Sequence, residues 1–396
     1  MKLLKNKFVL LSPIIVLAVV MIFSLTMIPS VNPKPENLPI ALVNQDQGVM
    51  LPDQSKLNMG QTIMEQIRKK AEPASGKKPT IEWVSVKNQK EVKKGMDEHE
   101  YYAALVIPKD FSKKQASLQT PNPSSSEVMI LINQGMNTMA STAASQMLNG
   151  IVNHINDNMR TQVLSGIEKK GGTLSTKQAA VLASPIKNVV TEVHATGSHS
   201  ANGNAPISLF QPLWMASIAG AAIVSLMLNK ISFSNRIQKF VNQLVQVLIG
   251  AVLAIIAGFG LTWVADAIGL NIPDFTNIAL FLSIAFFSFF LMISAVLSWL
   301  GMKGLPLFVI TLFFGVPLLS MAPEFMSAFY RNWIYSWLPM RFMVDGLREL
   351  FFFDKGLNWD HPTVVLVGIG LVSFVVFVAS ALKVKQDREK EHQFQQ

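Results

Sequence analysis

No cysteine occurs in the chain. That removes disulfides, thiol nucleophiles and Cys-ligated zinc, and it fits an exported domain whose stability does not rely on bridges. Signatures of catalysis are missing as well: there is no H-E-x-x-H, no paired-histidine ligand spacing and no G-x-S-x-G elbow. The stretch Ser75–Thr80 (S-G-K-K-P-T) lacks the spacing of a phosphate-binding loop. His99, His154, His194 and His199 read as scattered surface histidines, and the chain reads as a non-enzyme with no catalytic residue, cofactor or metal.

Charge is absent from the apolar runs. Six of them, Phe8–Ile28, Ile207–Leu228, Val241–Val264, Thr276–Leu300, Gly304–Met321 and Thr363–Leu382, hold no Asp, Glu, Lys, Arg or His. Each is near or above the ~20 residues with which a helix crosses a ~30 Å hydrocarbon core. Backbone amides in lipid must be satisfied within the segment, so the runs are expected to be helices. Ionisable groups inside the membrane mark ion pathways, and their absence argues against a proton- or sodium-driven antiporter. The expected fold is a polytopic α-helical membrane protein of six transmembrane helices, with a mixed α/β extracytoplasmic domain between the first and second. The divisions are 1–29 (N-terminus and first span), 30–206 (external domain), 207–382 (remaining spans) and 383–396 (tail).

Basic residues orient the chain. Lys2, Lys5 and Lys7, then Lys230, Arg236 and Lys239, then Lys303, then Lys383, Lys385, Arg388 and Lys390 all fall on one side of a six-span arrangement. The positive-inside rule makes that side cytoplasmic. The loop Asp266–Phe275, with two Asp and no Lys or Arg, falls opposite. The expected location is the plasma membrane, multi-pass, with N- and C-termini inside and the large domain outside. The first run reads as an uncleaved anchor, being too long for a signal h-region and followed by no A-x-A site. The net charge of +9 is assigned to membrane orientation and anionic headgroups rather than to nucleic acid.

Outside the membrane, Pro29–Pro35 reads as a stiff proline-rich exit. Strands are expected at Pro39–Val43, Thr80–Val86, Tyr101–Ile107, Glu127–Asn133 and Val181–Ala195. Helices are expected at Leu57–Ala71, Asn88–His99, Asp110–Leu118 and Gly135–Lys170, the last ended by Gly171-Gly172.

Within the bundle, Gly250, Ala254 and Gly258 form a small-residue stripe that lets another helix approach closely, from the same chain or across a dimer. Asn242, Gln243 and Gln246 sit near one end of their run. Trp263, Trp299, Trp333 and Trp337 look like interfacial aromatics. Between the last two runs, 323–353 holds two short apolar stretches, Phe325–Trp337 and Arg341–Phe353, that suit re-entrant or interfacial helices. There Asp345 lies four residues from Arg341 and three from Arg348, so the charges can pair on one helical face, either as a structural rim or as a substrate gate.

Four motifs carry a family resemblance. Leu38–Gly48 reads L-P-I-A-L-V-N-Q-D-Q-G, and Tyr101–Ser112 reads Y-Y-A-A-L-V-I-P-K-D-F-S. Phe210–Trp214 (F-Q-P-L-W) opens the second run, and Leu338–Arg348 (L-P-M-R-F-M-V-D-G-L-R) precedes the last. Together they resemble the short form of the YhgE/Pip (phage infection protein) group in the ABC-2 type transporter permease superfamily. Asn44, Asp46 and Gly48 are read as closing a turn, and Pro108 as stopping a strand, so these residues mark fold rather than catalysis. The resemblance implies a dimerising half-transporter, homo- or heterodimeric, energised by a separate cytoplasmic ABC ATPase, since the chain has no Walker A motif. In that picture the loop Asn229–Gln243 contacts the ATPase through Arg236, Lys239 and Phe240, and Arg341, Asp345 and Arg348 gate substrate. The seven residues ahead of Phe8 leave no room for the amphipathic connecting helix common in ABC-2 permeases, so reduced, altered or absent coupling is expected. The function implied is outward movement of an amphipathic or lipid-like compound, drug or peptide. The alternative from another class is a non-transporting surface protein, a phage or cell-wall attachment factor or an accessory of secretion machinery.

Overall fold

A computed structural model describes residues 13–14, 17, 21, 35–50, 54–71, 78–169, 171–228, 230–231 and 235–383. The first apolar run, the proline-rich exit from Pro29, the tail beyond residue 383 and part of the 229–243 loop fall wholly or largely outside these residues. The chain divides into two compact units. One comprises Pro33–Thr196 together with Met321–Met326, and the other Met1–Asn32, Gly197–Ser320 and Ser327–Gln396.

The first unit is built on a five-stranded sheet. Its strands are β1 (Leu38–Asn44), β4 (Ile81–Ser85), β5 (Ala103–Ile107), β6 (Ser126–Asn133) and β7 (Ile186–Val193), and β2 (Val49–Met50) and β3 (Lys56–Leu57) form a separate small ribbon. The order across the sheet is β4-β1-β5-β6-β7. β1 runs parallel to both β4 and β5, β6 runs antiparallel to β5, and β7 runs parallel to β6. Among the described residues five helices connect them: α1 (Met59–Ala71), α2 (Gln89–Asp97), α3 (Phe111–Ser117), α4 (Thr138–Lys169) and α5 (Thr176–Leu182).

β1 and β5 are inner strands, which explains their nearly unbroken apolar sequences: a strand covered on both faces has no polar side to alternate with. Ala41, Val43, Ala104, Val106 and Leu131 pack with Val92 and Met96 of α2. Ile40, Leu42, Leu105 and Ile107, which alternate with these and so face the other way, are equally buried. Pro108 follows the last residue of β5, where a missing N–H costs the ladder nothing. The strand expected over Val181–Ala195 is shorter, because its first residues belong to α5, whose N-cap Ser175 forms a capping box with Gln178.

Met321–Met326 completes this unit. The Glu324 carbonyl accepts from the Glu36 N–H at 2.8 Å, and its carboxylate accepts from the buried Tyr102 hydroxyl at 2.8 Å.

The second unit is helical: α6 (Ala205–Leu228), α7 (Arg236–Ala267), α8 (Phe275–Leu300), α9 (Leu305–Ser320), α10 (Pro339–Phe352) and α11 (His361–Ala379). Among the described residues, four helical tracts are long and apolar enough to cross a membrane: Ala205–Leu228, Arg236–Ala267, Phe275–Ser320 and His361–Leu382. The six expected spans thus appear as four. The first lies outside the described residues, and the fourth and fifth join as α8 and α9 in one 46-residue tract. That tract is bent at Gly301, whose φ of +63° favours glycine. The bend brings Gly304 against the Val296 side chain, eight residues back, a separation of ~12 Å along a straight helix. α9 has 16 residues, short of the ~20 of a full crossing.

α8 is the hub. Buried residues surround its axis, and it packs against α6, α7, α10 and α11. Trp214 and Phe210 of the F-Q-P-L-W motif are fully buried on α6, with the Trp214 ring 4.9 Å from Phe289 and its indole N–H donating to the Phe308 carbonyl at 3.1 Å. Trp263, Trp333 and Trp337 face outward.

Candidate functional site

In the sheet unit, the two strand motifs converge on one carboxylate. Asn44 Oδ1 accepts from the Asp46 N–H at 3.0 Å, and Asp46 Oδ1 accepts from Gly48 N–H at 3.2 Å, which closes the turn after β1. Gly48 has φ +74°, the left-handed region that the turn requires. Asp46 reaches further than its own turn. Its Oδ1 also accepts from the Ser112 N–H at 3.0 Å, and its Oδ2 accepts from the Gly60 N–H at 3.0 Å and from the Ser112 hydroxyl. The Ser112 oxygen accepts in turn from Met59 N–H at 2.8 Å. One buried carboxylate therefore ties the end of β1 to the first turns of α1 and α3, where helices leave backbone N–H groups without internal partners. It is also the favoured place for a negative charge. Gly60 allows the approach: a Cβ there would stand 2.6 Å from Asn44 Oδ1 and 2.7 Å from Asp46 Cβ. Every oxygen of this clasp is engaged by the fold, and its role is to hold elements together. Sequence reasoning identified Asn44, Asp46, Gly48 and Pro108, and quoted Ser112 without a role. Gly60 carried no signal, because a close approach between distant residues leaves no mark in local spacing.

In the helical unit, the stripe Gly250, Ala254 and Gly258 is covered by α8 of the same chain. A Cβ on Gly258 would meet the Ser283 N at 2.7 Å, and one on Gly250 would press on the Phe290 ring. This answers the choice left open above in favour of packing within the chain.

The end of this unit holds its main polar cluster. The last turns of α6, α8 and α11 meet the first turns of α7. Lys239 Nζ donates to the Ser380 carbonyl at 2.8 Å, and Gln243 Nε2 donates to the Phe377 carbonyl at 2.9 Å and to the Ser380 hydroxyl at 2.7 Å. Gln246 Nε2 donates to the Ser294 hydroxyl at 3.1 Å. A cleft of about 90 Å³ opens among Ser225, Lys239, Asn242, Gln243, Ser298 and Phe377. Of the residues expected to contact an ATPase, Arg236 is exposed at the head of α7 beside N-cap Asn235, and Phe240 is exposed one turn on. Lys239 instead turns inward to the cleft.

On α10, the three expected charges do meet. Arg341 Nε and Arg348 Nη1 both donate to the Asp345 carboxylate, each at 3.2 Å, and Arg348 Nη2 reaches the Leu319 carbonyl at 3.2 Å. Arg341 also lies over the Tyr335 ring, 4.7 Å from its centre. Met340, Met343, Val344 and Leu347 are fully buried. α10 is thus an amphipathic helix laid on the bundle, preceded by a π turn at Tyr330–Ile334. The Arg348 bond to Leu319 caps the carbonyl end of α9, a contact that local spacing does not reveal.

Of the histidines, His194 faces Asp97 with 2.9 Å between Nε2 and Oδ1. Among the described residues, no group of three or more His, Asp or Glu is placed to hold a metal ion.

No curated protein and no solved structure matches the chain. A family model described as "Protein of unknown function (DUF3533)" matches residues 9–368. Spanning both compact units and nearly the whole sequence, that match shows that the chain belongs to the DUF3533 family.

Proposed function

We propose that the chain is the membrane permease subunit of an ABC-2 type exporter of the YhgE/Pip kind. In this reading it moves an amphipathic or lipid-like compound, drug or peptide outward, powered by a separate cytoplasmic ATPase. It spans the plasma membrane several times with both termini inside and the sheet unit outside, and works as a homo- or heterodimer.

The observation that carries the reading is the helical unit's polar end. Helices with no charged residue in their apolar cores gather their ends there, and Arg236 and Phe240 are exposed on the first turns of α7. Basic residues cluster on the connections at that same end, which the positive-inside rule assigns to the cytoplasm. A partner that hydrolyses ATP would have to engage there. The charge-free interior supports an energy source other than an ion gradient.

The absence of cysteine makes the test direct. A single cysteine replacing the exposed Ile237 should crosslink, in native membranes, to an ATP-binding protein. Arg236→Glu should reduce that crosslink about tenfold through charge reversal at the contact, with unchanged membrane insertion. Labelling of the cysteine from the cytoplasmic side without any ATPase adduct would overturn the reading and favour the attachment or accessory role.

A further inference from the structure

The cleft between the ends of α6, α7, α8 and α11 has a chemical character that transport alone does not require. Gln243 is almost wholly buried, with 4% of its surface exposed. Its amide nitrogen is fixed by two acceptors, the Phe377 carbonyl and the Ser380 hydroxyl. Turning the amide over would set oxygen against the Phe377 carbonyl, acceptor against acceptor, so the assignment of oxygen follows from the bonding. The Oε1 atom that remains has no hydrogen-bond partner within the protein. A buried acceptor in that condition is costly, and Gln243 is one of the residues that line a space of about 90 Å³, well above the ~10–15 Å³ that admits a water.

The rest of the lining defines what would fit. Lys239 brings a positive charge, no Asp or Glu is among the described residues that line the cleft, and Ser225, Ser298 and Asn242 add neutral polar groups. Such a set favours an anionic oxygen beside the ammonium and a hydrogen-bond donor toward Gln243 Oε1. The outer surface of α7 beside it is apolar, with Val241, Val245 and Leu248 exposed. Acyl chains suit that surface, and a small soluble anion would leave it bare.

We propose that this cleft is a binding site for a phosphate headgroup that carries an N–H or O–H donor, presented by a membrane phospholipid. Phosphate oxygens lie against Lys239, and the ethanolamine ammonium or glycerol hydroxyl donates to Gln243 Oε1. A choline headgroup has no N–H to give and is disfavoured. The site stands independently of any ATPase or transport cycle.

The test uses the full chain purified into nanodiscs containing equal amounts of phosphatidylethanolamine, phosphatidylglycerol and phosphatidylcholine with matched acyl chains. Bound lipid is then counted by native mass spectrometry. Ethanolamine and glycerol lipids should be retained over choline lipid by about tenfold, the scale of one buried hydrogen bond made or missed. Lys239→Ala should abolish retention of all three, and Lys239→Arg should restore it. The headgroup comparison needs no variant, so it survives any folding defect in the Lys239 series. Equal retention of the three lipids, or retention unaffected by Lys239→Ala, overturns the site. Displacement of the lipid by soluble glycerophosphoethanolamine overturns a lipid as occupant and assigns the same chemistry to a soluble phosphate ester.

Discussion

Asp46 shows how much one side chain can organise. Its two oxygens satisfy N–H groups from three places in the chain, and the Gly60 and Ser112 bonds are buried. Asp46→Ala leaves those two donors without acceptors at ~1–3 kcal/mol each, so a loss of about 2–6 kcal/mol is expected. Gly60→Ala drives a methyl into Asn44 and Asp46, and overpacking of this kind costs ~1–3 kcal/mol. Amide hydrogen exchange checks both: Gly60 and Ser112 should lose protection first, ahead of β5. Protection unchanged at those amides in Asp46→Ala would remove the clasp from the domain's stability. At this scale the turn residues were legible, because Asx turns are local and the V-N-Q-D-Q-G run displays one. The partner of Asp46 was not. Ser112 lies 66 residues away, and nothing in the period or composition of either segment records that they touch.

Elements were easier to read where a single physical demand set their sequence. β1 and β5 announce themselves by apolar residues on both faces, and the long runs by their lack of charge. Elements were missed or misread where two demands overlap. The two-residue strands β2 and β3 are too short to show a period. α5 goes unassigned but for Val181 and Leu182, which fall in the expected strand, although Ser175 and Gln178 stand at capping-box spacing. α8 and α9 were correctly separated by composition, but whether each crosses a bilayer depends on the bend at Gly301, which no hydropathy window measures. Packing of α7 on α8 gives a prediction at this level. Gly258→Ala sets a methyl against the Ser283 backbone, so the helices must part, at a cost of ~1–3 kcal/mol. Gly260→Ala, two residues on, meets nothing within 4 Å. It should be neutral, or stabilising by up to the ~1 kcal/mol that separates Ala from Gly in a helix. Thermal unfolding of the two variants in detergent separates them, and equal melting would mean that α7 and α8 do not pack through this stripe.

For the whole molecule, the informative fact is that the sheet unit is not one continuous stretch of chain. Met321–Met326 belongs to it, yet lies beyond α6 to α9 of the other unit. Tyr102 and Glu324 are separated by 222 residues. A ribosome adding ~5–20 residues per second needs roughly 10–45 s to pass from one to the other. The sheet unit must therefore wait, nearly finished, while α6 to α9 are made, and its completion marks the emergence of the last piece. Chains stopped after Ser320 should be cut by protease within 33–196 more readily than chains stopped after Trp337, and equal susceptibility would show that the strip adds nothing. The clock this sets runs across most of the chain: strands laid down before α6 begins are closed only after α9 is made.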